Sequence, residues 1–223
     1  MTVIEENLSF IREKIATAAF KAGRDPGGVR LVAVSKFHPV EAITEALQAG
    51  QTRFGENRVQ EAAAKFPALR RAHPGLELHL IGPLQTNKAE AAVELFDVIQ
   101  TLDRPALAAA LAKAIRKTGQ SPRLYIEVNL GREPQKAGVM PEALDDFLRQ
   151  CRDEHGLSPC GLMCIPPHGE DPAPHFRALK TLADRHTLAH VSMGMSADYE
   201  AAIACGATEV RIGTALFGER PQS

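Results

Sequence analysis

Leu8, Ile11, Ile15 and Ala18 recur at the three- and four-residue spacing of one helix face. Thr2-x-x-Glu5 stands ahead of them as a capping box and Gly23 behind them as a stop, so a helix over residues 2–22 is predicted. It carries no candidate chemistry and is expected to cover the outside of the remaining fold. From there the hydrophobic period alternates. "RLVAVS" leads into a helical stretch over 39–49, "RFGEN" into 59–66, "ELHLIG" into 85–95 and "DVIQTL" into 105–117. "RLYIEVN" is followed by a helix over 141–152, "PCGLMCI" by 174–185 and "LAHVSMG" by 198–205, and "TEVRIG" closes the series. Eight strands alternating with helices call for parallel pairing and right-handed crossovers. The expected fold is an α/β chain, a single-domain (β/α)8 TIM-type barrel with an extra N-terminal helix; an open doubly wound sheet is the alternative. No repeat, low-complexity tract or linker interrupts the alternation, so residues 1–223 are expected to form one domain.

Composition narrows the class. The chain has 223 residues, 44% hydrophobic and 24% charged, with a formal net charge of -1. A near-neutral chain has no basic field for a polyanion, and nucleic acid is not an expected partner. "MTVIEENLSF" is acidic where a signal peptide is basic, and nothing later approaches a spanning run. A cytoplasmic protein with no membrane partner is expected. Cys151, Cys160, Cys164 and Cys205 lie in apolar surroundings without a CxxC pair, which fits buried reduced thiols better than a disulfide framework or zinc site.

The barrel gives "LVAVSKFHP" its interest. Functional groups of such barrels sit at the C-terminal strand ends, and phosphates are often held by the loops after strands seven and eight. Lys36 ends strand one, and ring closure puts that strand beside strand eight. "SMGMS" (192–196) and "RIGTALFG" (211–218) form the two loops in question. Gly194 and Gly213 let backbone N–H groups approach an anion, and Ser196 and Thr214 add hydroxyl donors. Singly, each has a bland explanation: a strand-end lysine is ordinarily a solvated charge, a Gly-Thr pair a turn, and Arg211 an ion-pair residue. Their joint placement points to a ligand. Two chemistries use an activated amine beside a phosphate cup: a sugar-phosphate Schiff base, as in aldolases, and an aldimine with pyridoxal phosphate.

"AVSKFHP", "RFGENRVQE", "LHLIGPLQTNK", "GLMCIPP" and "VSMGMSADYEAAIACGATEVRIGTALFG" together resemble the pyridoxal phosphate homeostasis protein family, whose fold is similar to the alanine racemase barrel and thus to fold type III of pyridoxal phosphate proteins. The resemblance runs from about Leu31 to Gly218. It implies that Lys36 forms the aldimine with pyridoxal 5'-phosphate, that Ser196, Gly213 and Thr214 hold the phosphate, that Arg211 faces the pyridine nitrogen, and that Asn57 lines the pocket beside Lys36. It also implies a binder rather than an enzyme, with pyridoxal phosphate-dependent apoenzymes as recipients, and we expect a monomer. A small amino acid racemase and a Schiff-base aldolase are the alternatives. Racemisation needs a second proton carrier; in alanine racemases this is a tyrosine brought in by a further β domain, which this chain is expected to lack. Tyr125 is expected inside strand five and Tyr199 at the start of the helix after strand seven. His79 is read as a satisfied core residue, and Lys88 and Lys136 as solvated loop lysines, with a role for Lys136 in shielding the cofactor or assisting its transfer kept open.

Overall fold

The computed structural model describes residues 2–219. Helix α1 (Val3–Lys21) opens the chain. Thr2 Oγ1 accepts from the Glu5 N–H and Glu5 Oε2 accepts from the Thr2 N–H, both at 3.3 Å, so the capping box forms. Leu8, Ile11, Ile15, Ala18 and Ala19 make its buried stripe. Polar anchors tie this segment to the outer helices. Asn7 donates to the Leu216 carbonyl, Arg12 to those of Ala49 and Gly50, and Arg24, just past the left-handed Gly23, to those of Ile203 and Ala207. The helix therefore lies outside the barrel, as the pattern predicts.

The strands are β1 (Arg30–Val34), β2 (Arg53–Glu56), β3 (Glu77–Leu80), β4 (Val98–Leu102), β5 (Arg123–Glu127), β6 (Gly161–Met163), β7 (His190–Ser192) and β8 (Glu209–Ile212). Each pairs in parallel with the next, and β8 pairs in parallel with β1, which closes the barrel. The crossover helices are α2 (Val40–Gln48), α3 (Val59–Ala72), α4 (Ala89–Leu95), α5 (Pro105–Thr118), α6 (Leu144–Asp153), α7 (Ala173–Arg185) and α8 (Tyr199–Ala204), with a short α9 (Thr214–Phe217) after β8. The open sheet is thus excluded. Helix α3 runs past Pro67, where the pattern places its end. Proline removes only the bond to the Ala63 carbonyl, and both residues lie on the exposed side of the helix, while Leu69 continues the buried stripe. The predicted stretch over 85–95 begins instead as a 3-10 turn, Thr86–Lys88, before α4.

Apolar residues on the outer strand faces, among them Leu31, Ala33, Phe54, Leu78 and Ile99, pack with the helices, including Leu8 and Ile11 of α1, in one cluster. The inside of the barrel is different. Val32, Val98, Tyr125 and Met163 share it with buried His79, Gln100, Ser192, Glu209 and Arg211. All four cysteines are free. Cys151 and Cys164 are buried as expected, whereas Cys160, just before β6, and Cys205, the C-cap of α8, are half-buried because they sit at element ends. No helix among the described residues is long and apolar enough to cross a membrane.

Because Leu8 is almost fully buried against this shell, Leu8→Ala should cost about 2 to 5 kcal/mol of unfolding free energy in urea titration. A cost below about 1 kcal/mol would show that α1 is not part of the packed core.

Candidate functional site

The turn after β1 is held from below. Ser35 is fully buried; its N–H donates to the Gly55 carbonyl and its Oγ donates to Glu56 Oε1 at 2.7 Å. Phe37 has φ 67, a left-handed conformation that L residues other than glycine adopt at a cost. Its N–H donates to Glu61 Oε1 at 2.6 Å. Lys65, rising from α3, donates to the carbonyls of Ser35 and His38 at 3.0 and 3.3 Å and pairs with Glu56 at 2.6 Å and Glu61 at 2.9 Å. Burial pushes the Glu56 carboxyl up, against the pull of Lys65 and Ser35. Burial acts on Glu61 too, but the hydrogen bonds from Lys65 and Phe37 outweigh it and hold that carboxyl low. The His38 ring stacks on Phe217 at 4.9 Å. Lys36 is thus presented on a turn with little freedom.

Lys36 opens onto a cavity of about 300 Å3 at the C-terminal mouth of the barrel. Asn57, Ser196, Arg211, Gly213 and Thr214 line the same cavity, together with the apolar Val34, Ile81, Ile165 and Met195. All six residues singled out from the sequence therefore meet around one space. Arg211 is 4% exposed; its Nη1 donates to Ser192 Oγ at 2.7 Å and its Nη2 to the Cys164 carbonyl at 2.9 Å. Burial pushes its guanidinium down, and Cys164, Glu127 and Glu209 oppose that shift. Ser196 Oγ accepts from the Ala215 N–H at 3.4 Å, joining the loops after β7 and β8. Gly194 takes φ 90, and a Cβ there would stand 2.5 Å from that of Ala202, so only glycine allows this bend.

Other residues fall outside the cavity. His79 is fully buried and hydrogen-bonded to Gln100 and Glu77, a satisfied core residue as read. Lys88 lines a separate hollow with Arg58. Lys136 pairs with Glu133 at 2.5 Å and donates to the Pro166 carbonyl, so it is not the solvated loop lysine expected; a clasp across two top-face loops uses its amine. Tyr125 donates to Glu209 at 2.8 Å inside the barrel, and Tyr199 is buried at the start of α8.

The chain matches the family described as the N-terminal domain of alanine racemase over residues 7–221. It is 40% identical to a pyridoxal phosphate homeostasis protein of Haemophilus influenzae, over 99% of this chain and 97% of that protein. A second such protein, from Vibrio cholerae, is 42% identical over 100% and 99% of the two chains. The chain belongs to the pyridoxal phosphate homeostasis protein family. Among solved structures, PipY of Synechococcus elongatus PCC7942 with PLP bound superposes with a TM-score of 0.83 at 40% identity, over 96% of this chain and all of that one.

As a member of this family the chain can be tested for fit to the phosphorylated pyridine aldehyde of that name. A primary amine, a buried guanidinium donor and two hydroxyls border one cavity with apolar walls, which suits a flat ring bearing an aldehyde and a phosphate. Sequence reasoning missed four contributors. Ile165 and Met195 wall the cavity; they end "PCGLMCI" and sit within "SMGMS", stretches read as strand and phosphate loop, without being given a place in the site. Gly82 lets Asn57 approach, since a Cβ there would stand 2.4 Å from the Asn57 carbonyl; the "GP" after β3 was the available clue. Glu127, at the inner end of β5, is pushed up to about 7 by burial and by Asp103, with Arg211 opposing.

Two tests follow from these charges. Lys65→Met strands two carboxylates beside buried carbonyls and should cost about 3 to 5 kcal/mol in urea; a loss under about 1 kcal/mol would show that the clamp does not hold. The Glu127 carboxyl titrates near 7 folded and in the ordinary carboxylate range unfolded. The folded state binds the extra proton, so stability should fall as pH rises from about 4.5 to about 7, by at most about 1.4 kcal/mol per unit. Glu127→Gln should remove that component of the slope. An unchanged slope would remove Glu127 from the account.

Proposed function

We propose that this chain binds pyridoxal 5'-phosphate in the mouth of its barrel and holds it, without catalysis, as part of intracellular homeostasis of that cofactor. The observation that carries the reading is the convergence of Lys36, Arg211 and the Ser196 and Thr214 hydroxyls on one cavity. The relatives' names and the ligand of PipY support it from outside the chain. When bound, the cofactor supplies an electrophilic aldehyde and an electron-withdrawing ring. Lys36 Nζ would hold the aldehyde carbon through a C=N bond, the aldehyde oxygen leaving as water. Ser196 and Thr214 donate hydroxyl hydrogens to the phosphate, and Gly213, without a side chain, brings its backbone close to it. Arg211 would donate to the pyridine nitrogen, which keeps that nitrogen unprotonated because a guanidinium offers no acceptor for a ring N–H. Asn57 packs beside the amine.

The racemase reading needs a second proton carrier on the face opposite Lys36. Of the two tyrosines of the chain, Tyr125 is held by Glu209 inside the barrel, and Tyr199 is buried at the start of α8 and does not line the cavity. An arginine on the ring nitrogen also weakens the electron sink. We therefore read the site as one that stores an aldehyde and releases it to pyridoxal phosphate-dependent apoenzymes in the cytoplasm. The unit is a single-domain monomer, and a family match running unbroken over residues 7–221 supports the single domain.

Borohydride reduction of the loaded protein should fix the cofactor to Lys36, read by peptide mass mapping; a label on Lys136 or Lys88 instead would refute the assignment. Thr214→Val and Ser196→Ala each remove a donor to a dianion and should weaken cofactor binding roughly 10- to 100-fold. Unchanged affinity in both would move the phosphate elsewhere.

A further inference from the structure

The polar interior of the barrel forms one connected chain that ends on Arg211. A guanidinium only donates, so Ser192 Oγ, 2.7 Å from Arg211 Nη1, accepts there and must send its own hydrogen to Gln100 Oε1, also at 2.7 Å. With its oxygen so used, Gln100 donates both hydrogens of Nε2, one to Glu209 Oε2 at 3.1 Å and one to His79 Nδ1 at 2.9 Å. That leaves the His79 hydrogen on Nε2, facing Glu77 Oε1 at 2.8 Å. Glu77 is held in turn by Arg123 at 2.6 Å and Arg53 at 3.3 Å on the far side of the barrel. Every link fixes the direction of the next, from the cavity wall to the opposite end.

Barrels of this type usually fill their interior with layers of branched apolar side chains. Here Ser192, Gln100, His79 and Glu209 are each buried, at a desolvation cost that only complete pairing offsets. Ser192 and Gln100 are not among the residues lining the cavity; Ser192 reaches its lining through the hydrogen bond to Arg211, and Gln100 through Ser192.

We propose that Ser192 and Gln100 are positioning residues that hold the Arg211 guanidinium as a fixed donor toward the cofactor's ring nitrogen, an inference that rests on the pyridoxal phosphate reading above. Ser192 sets the guanidinium by accepting from Nη1, and the Cys164 carbonyl sets it by accepting from Nη2. Gln100 sets Ser192 by taking its hydrogen, so that the serine lone pair faces the arginine. Without that partner the hydroxyl can turn, and the arginine can swing from the ring.

The test compares unaltered protein, Ser192→Ala and Ser192→Thr, each loaded with pyridoxal 5'-phosphate at one fixed pH. The readouts are the absorption band of the bound cofactor and its dissociation rate into excess apo-acceptor. Ser192→Ala should move the band toward that of a protonated ring and speed dissociation roughly 10-fold. Ser192→Thr, which keeps the hydroxyl, should restore both. Should Ser192→Ala not fold, Gln100→Met keeps the serine on the arginine but removes its acceptor, and should shift the same band by less. A lowered melting temperature with band and dissociation rate unchanged would make the network purely structural and overturn the proposal. Failure of the unaltered protein to take up the cofactor would overturn this inference and the binding reading together, whereas normal uptake with an unresponsive Ser192→Ala would overturn this inference alone.

Discussion

Arg30 to Ala33 of β1 pair in parallel with Glu209 to Ile212 of β8, joining the two ends of the barrel sequence. The ladder matches Val32 with Arg211 and Ala33 with Ile212, so the turn carrying Lys36 and the loop carrying Gly213 and Thr214 emerge side by side. An amine on one strand and donors on its closing neighbour can share a ligand only because the ring closes in this register. A shift of one residue would send Arg211 to the helix-facing side, since side chains alternate across a strand. Just past β8, Gly213 lies tight against β1, for a Cβ there would stand 3.2 Å from the Val34 carbonyl. Closure, register and a missing side chain thus act together to build the cavity.

The two faces of the strands answer to different demands. The outer face is mostly apolar and packs with the helices, where non-directional burial tolerates exchange of similar side chains. The inner face carries directed hydrogen bonds from β3 to β8, where each acceptor must meet its donor. A second directed system, Lys65 with Glu56 and Glu61, supports the Lys36 turn from outside the barrel. The cavity is thus braced on the arginine side and on the lysine side by separate networks. Such bracing favours a fixed donor set over a mobile one.

Much of this was legible in the sequence, for identifiable reasons. Period-two strands and period-3.6 helices alternate clearly enough to yield the barrel, and the capping box and Gly23 mark α1. Of the six cavity residues, Lys36 and Arg211 were legible because they lie on or just beyond strands whose order fixes their position, Ser196, Gly213 and Thr214 because they lie in loops rich in small residues, and Asn57 only through the family resemblance. What was not legible depends on contacts distant in sequence. The run of α3 past Pro67 depends on the burial of Leu69. The clasp made by Lys136 depends on where the Pro166 carbonyl falls. The carboxyl of Glu127 is raised by burial and by Asp103 against Arg211, neither of which is adjacent in the chain. Lys65 reads as a surface residue of an amphipathic helix until the turn above it supplies two carbonyls.

On the proposed reading, a pocket that would bind an aldehyde through an amine is one proton carrier short of an enzyme, and the central claim is that this chain stays short of it. On this reading Lys36 would supply one face, while Tyr125 is held by Glu209 inside the barrel and Tyr199 is buried at the start of α8. The most direct measurement is α-hydrogen exchange of L- and D-amino acids in deuterated water with the cofactor-loaded protein, followed by proton NMR, since even a half-reaction would exchange that hydrogen. The account predicts no exchange at enzyme-like turnover. Exchange at about 1 per second or faster, lost in Lys36→Ala, would contradict it.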